Sequence, residues 1–201
     1  ASARRTEVIT HRQDSPVPPS RVVVLGASGF VGTDLVRRLR EQHIDTVPLS
    51  SAEVDLCASE SVAALKREMR EGDALVIVSA LTPDRGKDSK TLMSNLVMGQ
   101  HVSEFLGQAA VSQVVYISSD AVYADEAHPV RETSPCAPST FHGLMHLTRE
   151  RMLAHVLQPP RTPLLILRPS LLFGAGDTHN AYGPNRFLRS ARETRRVTLI
   201  K

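Results

Sequence analysis

Three glycines recur at three-residue intervals in the run Gly26-Ala27-Ser28-Gly29-Phe30-Val31-Gly32. Residues of this type and spacing can hold linked phosphates. Gly26 permits a tight turn, Gly29 lets the backbone approach an anion, and Gly32 allows a following helix to lie close to the preceding strand. Amide groups at the start of that helix then face the anion together with the positive end of the helix dipole. The spacing is GxxGxxG rather than GxGxxG, so the context must carry the reading: a buried strand ahead and an amphipathic helix behind. We place the pyrophosphate contacts of a dinucleotide on Gly26, Ser28, Gly29, Phe30, Val31 and Gly32. A second pair, His142 and His146, stands four residues apart on one helical face. That spacing permits a metal site, but His128 and His155 are only candidates for a third ligand, and no metal is assigned.

Positioning these residues requires alternating strands and helices, and the sequence supplies them. Arg21–Gly26 is a continuous β-branched run, as expected for a strand buried on both faces. The periodicity predicts a helix over about Gly29–Gln42, with Val31, Leu35, Val36 and Leu39 as its apolar stripe. Further strands are expected at Asp45–Leu49, Asp73–Ser79, Gln113–Ser118 and Pro163–Leu167, with a last one at Val197–Ile200. Helices are expected at Ser59–Arg70 with Ser59 as N-cap, Ser89–Ala110, about Thr140–Val156, and Asn185–Glu193. This alternation implies an α/β fold, a Rossmann-like doubly wound parallel sheet. Ligands on such sheets bind at the carboxyl ends of the strands, beside the point where strand order reverses.

Composition excludes several function classes. The chain has 201 residues, 41% of them hydrophobic and 22% charged, with a formal net charge of +3. That balance is too weak for a dedicated nucleic-acid binder. No apolar run approaches the roughly 20 residues needed to span a bilayer, so no membrane partner is expected. Cys57 and Cys136 fit neither a metal-ligand spacing nor a disulfide framework, and free thiols point to a reducing cytoplasm. Residues 1–20 read as a flexible N-terminal arm, 21–176 as the dinucleotide-binding domain, and 177–201 as the start of a substrate-binding region. At the tip of the second strand, Leu49-Ser50-Ser51 offers neither an acid for a ribose nor an arginine for a 2′-phosphate, and Glu53 falls just past it. NAD and NADP both stay open.

The strand end Ser118-Ser119-Asp120-Ala121-Val122-Tyr123 completes a set with the glycine run, Val54-Asp55-Leu56, Asn95 and Arg168-Pro169-Ser170. In this set the chain resembles the extended short-chain dehydrogenases/reductases, in particular the NAD(P)-dependent sugar-nucleotide epimerases and dehydratases, over about Arg21 to Lys201. The resemblance implies that Asp55 and Leu56 lie beside the adenine and that Ser79 and Ala80 end a strand next to the cofactor. It implies that Asn95 supports the active-site backbone and that Ser119 hydrogen-bonds the reacting hydroxyl of a nucleotide-sugar or other small substrate. Asp177 to Arg186 would open the substrate-facing region, and a homodimer would form through the helices carrying Asn95 and His142. Taken singly, Asp55 could be a turn residue, Asn95 a surface amide and Ser119 a cap.

Members of that family use a Tyr-x-x-x-Lys pair, in the pattern Tyr-Gly-x-x-Lys-Leu-x-x-Glu. This chain reads His142-Gly143-Leu144-Met145-His146-Leu147-Thr148-Arg149-Glu150. Gly143, Leu147 and Glu150 anchor the alignment, which puts His142 at the tyrosine and His146 at the lysine that also holds the nicotinamide ribose. A shift of one residue would offer Phe141 and Met145, which have no acid-base group. Three readings stand open: His142 as the acid-base group, since an imidazole titrates near neutral pH unaided; a cofactor binder without turnover, regulatory or structural; and a metal held by the histidine pair. Family members are longer, and most of their substrate domain has no counterpart in these 201 residues.

Overall fold

Arg21–Leu25 forms strand β1, and all five of its residues are buried. The computed structural model describes residues 9, 14–15, 17–158, 162–177 and 183–197. After β1 come helix α1 (Phe30–Glu41), strand β2 (Asp45–Leu49), α2 (Ser61–Glu68), β3 (Ala74–Ile77) and α3 (Ser89–Leu106). Strand β4 (Gln113–Ile117) leads through a 3-10 turn, Asp120–Val122, to α4 (Phe141–Val156), β5 (Leu164–Leu167) and α5 (Gly183–Thr194). The five strands form one sheet in the order β2-β1-β3-β4-β5. Every neighbouring pair is parallel.

The order reverses between β1 and β3, so the crevice between their carboxyl ends is where such a sheet binds a ligand. Right-handed crossovers put α1 on one face and α2, α3 and α4 on the other. The side chains agree. Val23, Leu25, Leu75, Ile77, Val114 and Tyr116 pack with Leu65, Val102, Phe105 and Leu153. On the opposite face Val22, Val24, Ala74 and Val76 pack with Val36 and Leu35 of α1. β2 is an edge strand, which is why Pro48 is tolerated inside it. A buried ion pair fastens the amino end of β1: Arg21 Nη1 lies 2.7 Å from Asp73 Oδ2.

Two expectations need correction. Ser59 caps nothing: α2 begins at Ser61, with Glu60 at its N-cap and no side-chain cap hydrogen bond, because Ala58 and Ser61 close a turn first, Ser61 N donating to Ala58 O at 3.1 Å. The long helix α3 stops at Leu106 rather than Ala110, since the chain must turn toward β4. Its start is fixed by Asp88, whose side chain accepts from Thr91 N. The strand expected over Val197–Ile200 lies, beyond Val197, outside the described residues, as does most of the arm over residues 1–20.

Candidate functional site

β1 ends in the glycine bend, and the bend is built from contacts that only glycine survives. Gly26 has φ +88, and a methyl group on it would stand 2.7 Å from Ser79 N, at the end of β3. On Gly32 a methyl would stand 2.2 Å from Gly26 O, so α1 touches the strand end with no side chain between. Gly26 N and Ala27 N both donate to Leu49 O, at 2.8 and 3.1 Å, tying the bend to the tip of β2. Gly29 is the N-cap of α1 and no side chain caps it. The first-turn amides, from Phe30 to Gly32, therefore have no intrahelical acceptor. Ser28 and Gly29 are exposed, and Phe30 and Val31 half-buried, at the mouth of the switch-point crevice. A cradle of backbone amides that a Cβ would fill fits a pyrophosphate.

At the tip of β2 the chain folds back. Glu53 Oε2 accepts from Ser50 N at 2.8 Å and from Ser50 Oγ at 2.5 Å. Those bonds hold the Glu53 carboxyl below its ordinary value, the Ser50 hydroxyl contributing most. An acid thus stands at the end of β2. Asp55 is exposed and its Oδ1 accepts from Cys57 N at 2.9 Å, a turn contact. Leu56 is buried, and its carbonyl lies 2.9 Å from His101 Nδ1 on α3.

The loop after β3 is held from α3. Asn95 is only 1% exposed. Its Oδ1 accepts from Leu81 N at 2.9 Å, and its Nδ2 donates to Leu81 O at 3.0 Å and Thr91 O at 3.1 Å. One side chain thereby satisfies both backbone groups of Leu81. Ser79 and Ala80 lie between this clamp and β3, both half-buried, and the Ser79 hydroxyl is buried without a partner.

Helix α4 brings the histidines in. Thr140 caps it, Oγ1 accepting from Gly143 N at 3.1 Å. A methyl on Gly143 would stand 2.0 Å from Ala121 O, so the helix start lies against the 3-10 turn that follows Ser119. Ser119 caps that turn, its Oγ accepting from Ala121 N at 3.2 Å. His142 lines a cavity of about 460 Å³ together with Leu81, Pro83, Thr91, Asn95 and Met145. His146 points the other way. It is 5% exposed, and its Nδ1 lies 2.7 Å from the hydroxyl of buried Tyr116. The rings of His142 and His146 meet edge to face, 4.7 Å between centroids.

Burial, with His142 and Arg149 adding to it, pulls His146 down to about 2. Burial also pushes the Tyr116 phenol up to about 12. Both groups are uncharged at neutral pH. A neutral imidazole hydrogen-bonded to the core supplies no charge to the site. A fully buried cation does exist one turn farther on, at Arg149, whose Nη1 donates to Ser79 O at 2.8 Å. Below it, Glu150 takes a bidentate pair from Arg168, at 2.9 and 2.6 Å, and accepts from Ser118 Oγ at 2.6 Å. Arg168 also donates to Tyr123 Oη at 3.0 Å.

Sequence reasoning missed Tyr116 and Arg149. Tyr116 carried a signal, a hydroxyl on an inward strand position that needs a partner when buried. Arg149 carried none. Just ahead of the expected substrate-facing stretch Asp177 to Arg186, a methyl on Gly174 would lie 3.5 Å from Phe30 Cζ. Asn185 Nδ2 on α5 donates to Gly174 O at 2.9 Å and to Asp177 Oδ2 at 3.0 Å. Residues 178–182 of that stretch lie outside the described ones. Among the described residues no three His, Cys, Asp or Glu side chains are grouped to hold a metal. No described helix is long and apolar enough to cross a membrane.

Comparison with known proteins agrees with this geometry. The profile of the NAD dependent epimerase/dehydratase family matches residues 22–200. A dTDP-4-dehydrorhamnose reductase of Streptomyces griseus is 28% identical over 175 residues, covering 85% of this chain and 54% of its own. The chain thus spans about half the length of the curated relatives it matches. The UDP-N-acetylglucosamine 4-epimerase of Bacillus cereus superposes with a TM-score of 0.71 at 21% identity, over 85% of this chain and 61% of that one. A GDP-D-glycero-L-gluco-heptose synthase of Campylobacter jejuni, solved in the presence of NADPH, gives 0.71 at 20% identity over 85% and 54%. At these identities the structures show a shared fold.

Proposed function

Because the chain belongs to the NAD dependent epimerase/dehydratase family, we propose that it binds NAD or NADP at the switch point and takes part in reversible hydride transfer on a nucleotide-sugar. The observation that carries this is the bend Gly26–Gly32. Gly26 and Gly32 are required there by contacts of 2.7 and 2.2 Å, and the first-turn amides of α1 have no side-chain cap. Ser28, Gly29, Phe30 and Val31 would hold the pyrophosphate there. Asp55 and Leu56 would border the adenine, and Ser79 and Ala80 the nicotinamide side. The bound nicotinamide would accept or donate the hydride, while the protein orients the reactants and moves a proton.

His142 is the proton carrier in this reading. It lines the cavity beside the Asn95–Leu81 clamp, and an imidazole can both accept and donate a proton there. Ser119 hydrogen-bonds the reacting hydroxyl. His146 steadies the His142 ring from behind. Residues 177–201 open the substrate region, and two copies associate through α3 and α4, where Met93 and Leu144 are exposed. A second reading, a cofactor binder without turnover, is favoured by one observation: His146 is turned into the core and uncharged.

The test uses the full chain with NAD(P) and a panel of UDP-, GDP- and dTDP-sugars, following cofactor absorbance and product. Turnover that disappears in His142→Phe with cofactor affinity unchanged supports the proton-carrier role. An inert wild type that binds cofactor, and gains activity in His142→Tyr/His146→Lys, makes the non-catalytic reading the right one. Failure to bind either dinucleotide overturns both.

A further inference from the structure

Arg149 is 1% exposed, yet among the described residues no carboxylate lies within ion-pair distance of it. Room for it is made by α3: a methyl on Gly99 would stand 2.9 Å from Arg149 Cγ. The side chain threads past that glycine to the end of β3. There Nη1 donates to Ser79 O at 2.8 Å, with Met145 Sδ at 4.0 Å. The guanidinium carbon sits 5.2 Å from the centre of the Tyr116 ring, and Nε has no partner. Ser79 N in turn abuts Gly26, so one unbroken path runs from the guanidinium to the glycine bend.

A guanidinium keeps its charge in a protein interior. Buried charge without a counter-ion is expensive, and one backbone carbonyl with one aromatic face offsets only part of the cost. The nearest titratable imidazole, His146, is neutral and donates nothing to the balance. The site therefore holds a permanent positive charge directly behind Ser79.

We propose that Arg149 is the fixed cation of the cofactor site, biasing it toward reduced dinucleotide. The inference rests on the dinucleotide reading above. The physical reason is specific to charge. Oxidised nicotinamide carries a positive ring and reduced nicotinamide a neutral one, while the phosphates are the same in both. A cation on the nicotinamide side opposes the first and leaves the second alone. The expected bias is about tenfold, the scale of a single unit charge acting through an interior of effective dielectric near 20. Arg149 acts through the field and through Ser79, so it is a positioning residue.

The experiment measures equilibrium affinity for NADH and NAD+, and for NADPH and NADP+, by nicotinamide fluorescence and competition, in wild type, Arg149→Lys and Arg149→Met. The quantity read is the ratio of oxidised to reduced dissociation constants. That ratio cancels any general weakening of the fold, which a purely structural arginine would cause. Wild type should favour the reduced form about tenfold, Arg149→Lys should keep most of that bias, and Arg149→Met should bring the ratio close to one. A folded Arg149→Met with the wild-type ratio overturns the proposal. So does a wild type that binds both redox forms equally, whether or not the methionine variant folds, and that result leaves the dinucleotide reading intact. A wild type that binds neither form defeats the dinucleotide reading and this inference with it.

Discussion

Acidification from pH 7 to pH 5 is the perturbation to which the buried imidazole of His146 is most sensitive. In the folded chain its pKa lies at about 2, lowered first by burial and then by His142 and Arg149. In the unfolded chain it returns to about 6.5. Between those values the unfolded state holds a proton that the folded state refuses. The stability due to the neutral imidazole is therefore complete above about pH 6.5 and is lost as pH falls below it, at about 1.4 kcal/mol per pH unit. From pH 6.5 to 5 the loss is about 2 kcal/mol, a substantial part of the 5–15 kcal/mol typical of a folded domain. Urea unfolding followed by far-ultraviolet circular dichroism at pH 5, 6, 7 and 8 measures it in wild type and in His146→Gln. The amide can still hydrogen-bond the Tyr116 hydroxyl but does not titrate. Subtracting the two curves removes the other histidines. The difference should be flat above pH 7 and fall by about 2 kcal/mol at pH 5. Parallel curves would show that His146 takes up its proton in the folded state, and the account of a neutral His146–Tyr116 pair would be wrong.

Other consequences can be checked separately. Gly32→Ala pushes a methyl to 2.2 Å from Gly26 O; it should lower the thermal midpoint by an amount worth about 2–3 kcal/mol and abolish dinucleotide binding in a fluorescence titration. Glu150→Gln breaks the charge pair with Arg168, whose pKa the Glu150 hydrogen bond raises, and should cost about 3 kcal/mol in urea unfolding with little change in the slope. Glu53→Ser removes the acid that Ser50 holds at the tip of β2; the ratio of NADPH to NADH affinity should rise severalfold, and an unchanged ratio would mean that Glu53 does not face the ribose.

Much of the fold was legible because it is local. A run such as Val22–Leu25 has no polar position to expose, so it must be strand covered on both sides, and it is. Asp45–Leu49 was bounded correctly, and the remaining elements shifted by a few residues where turns outside the periodic pattern set their ends. Ser59 illustrates the limit. It is a good cap by type, but the turn between Ala58 and Ser61 moved the helix start beyond it. Glu53 is close to the tip of β2 in sequence, and only its hydrogen bonds to Ser50 show that its carboxyl folds back onto that tip.

By itself the sequence determined which backbone would be strand or helix, that the strands would run parallel, and that a glycine bend would close β1. Hydrophobic period and glycine placement act over a few residues, and those residues are adjacent in the chain. Only tertiary structure decided the surroundings of His146 and Arg149. Whether His146 is charged depends first on its burial, where its ring meets Tyr116 of strand β4, and then on His142 and Arg149. Whether Arg149 is solvated depends on Gly99, a glycine in a different helix. Protonation and desolvation are set by what surrounds a group in three dimensions, and that environment is assembled from segments that no local pattern links.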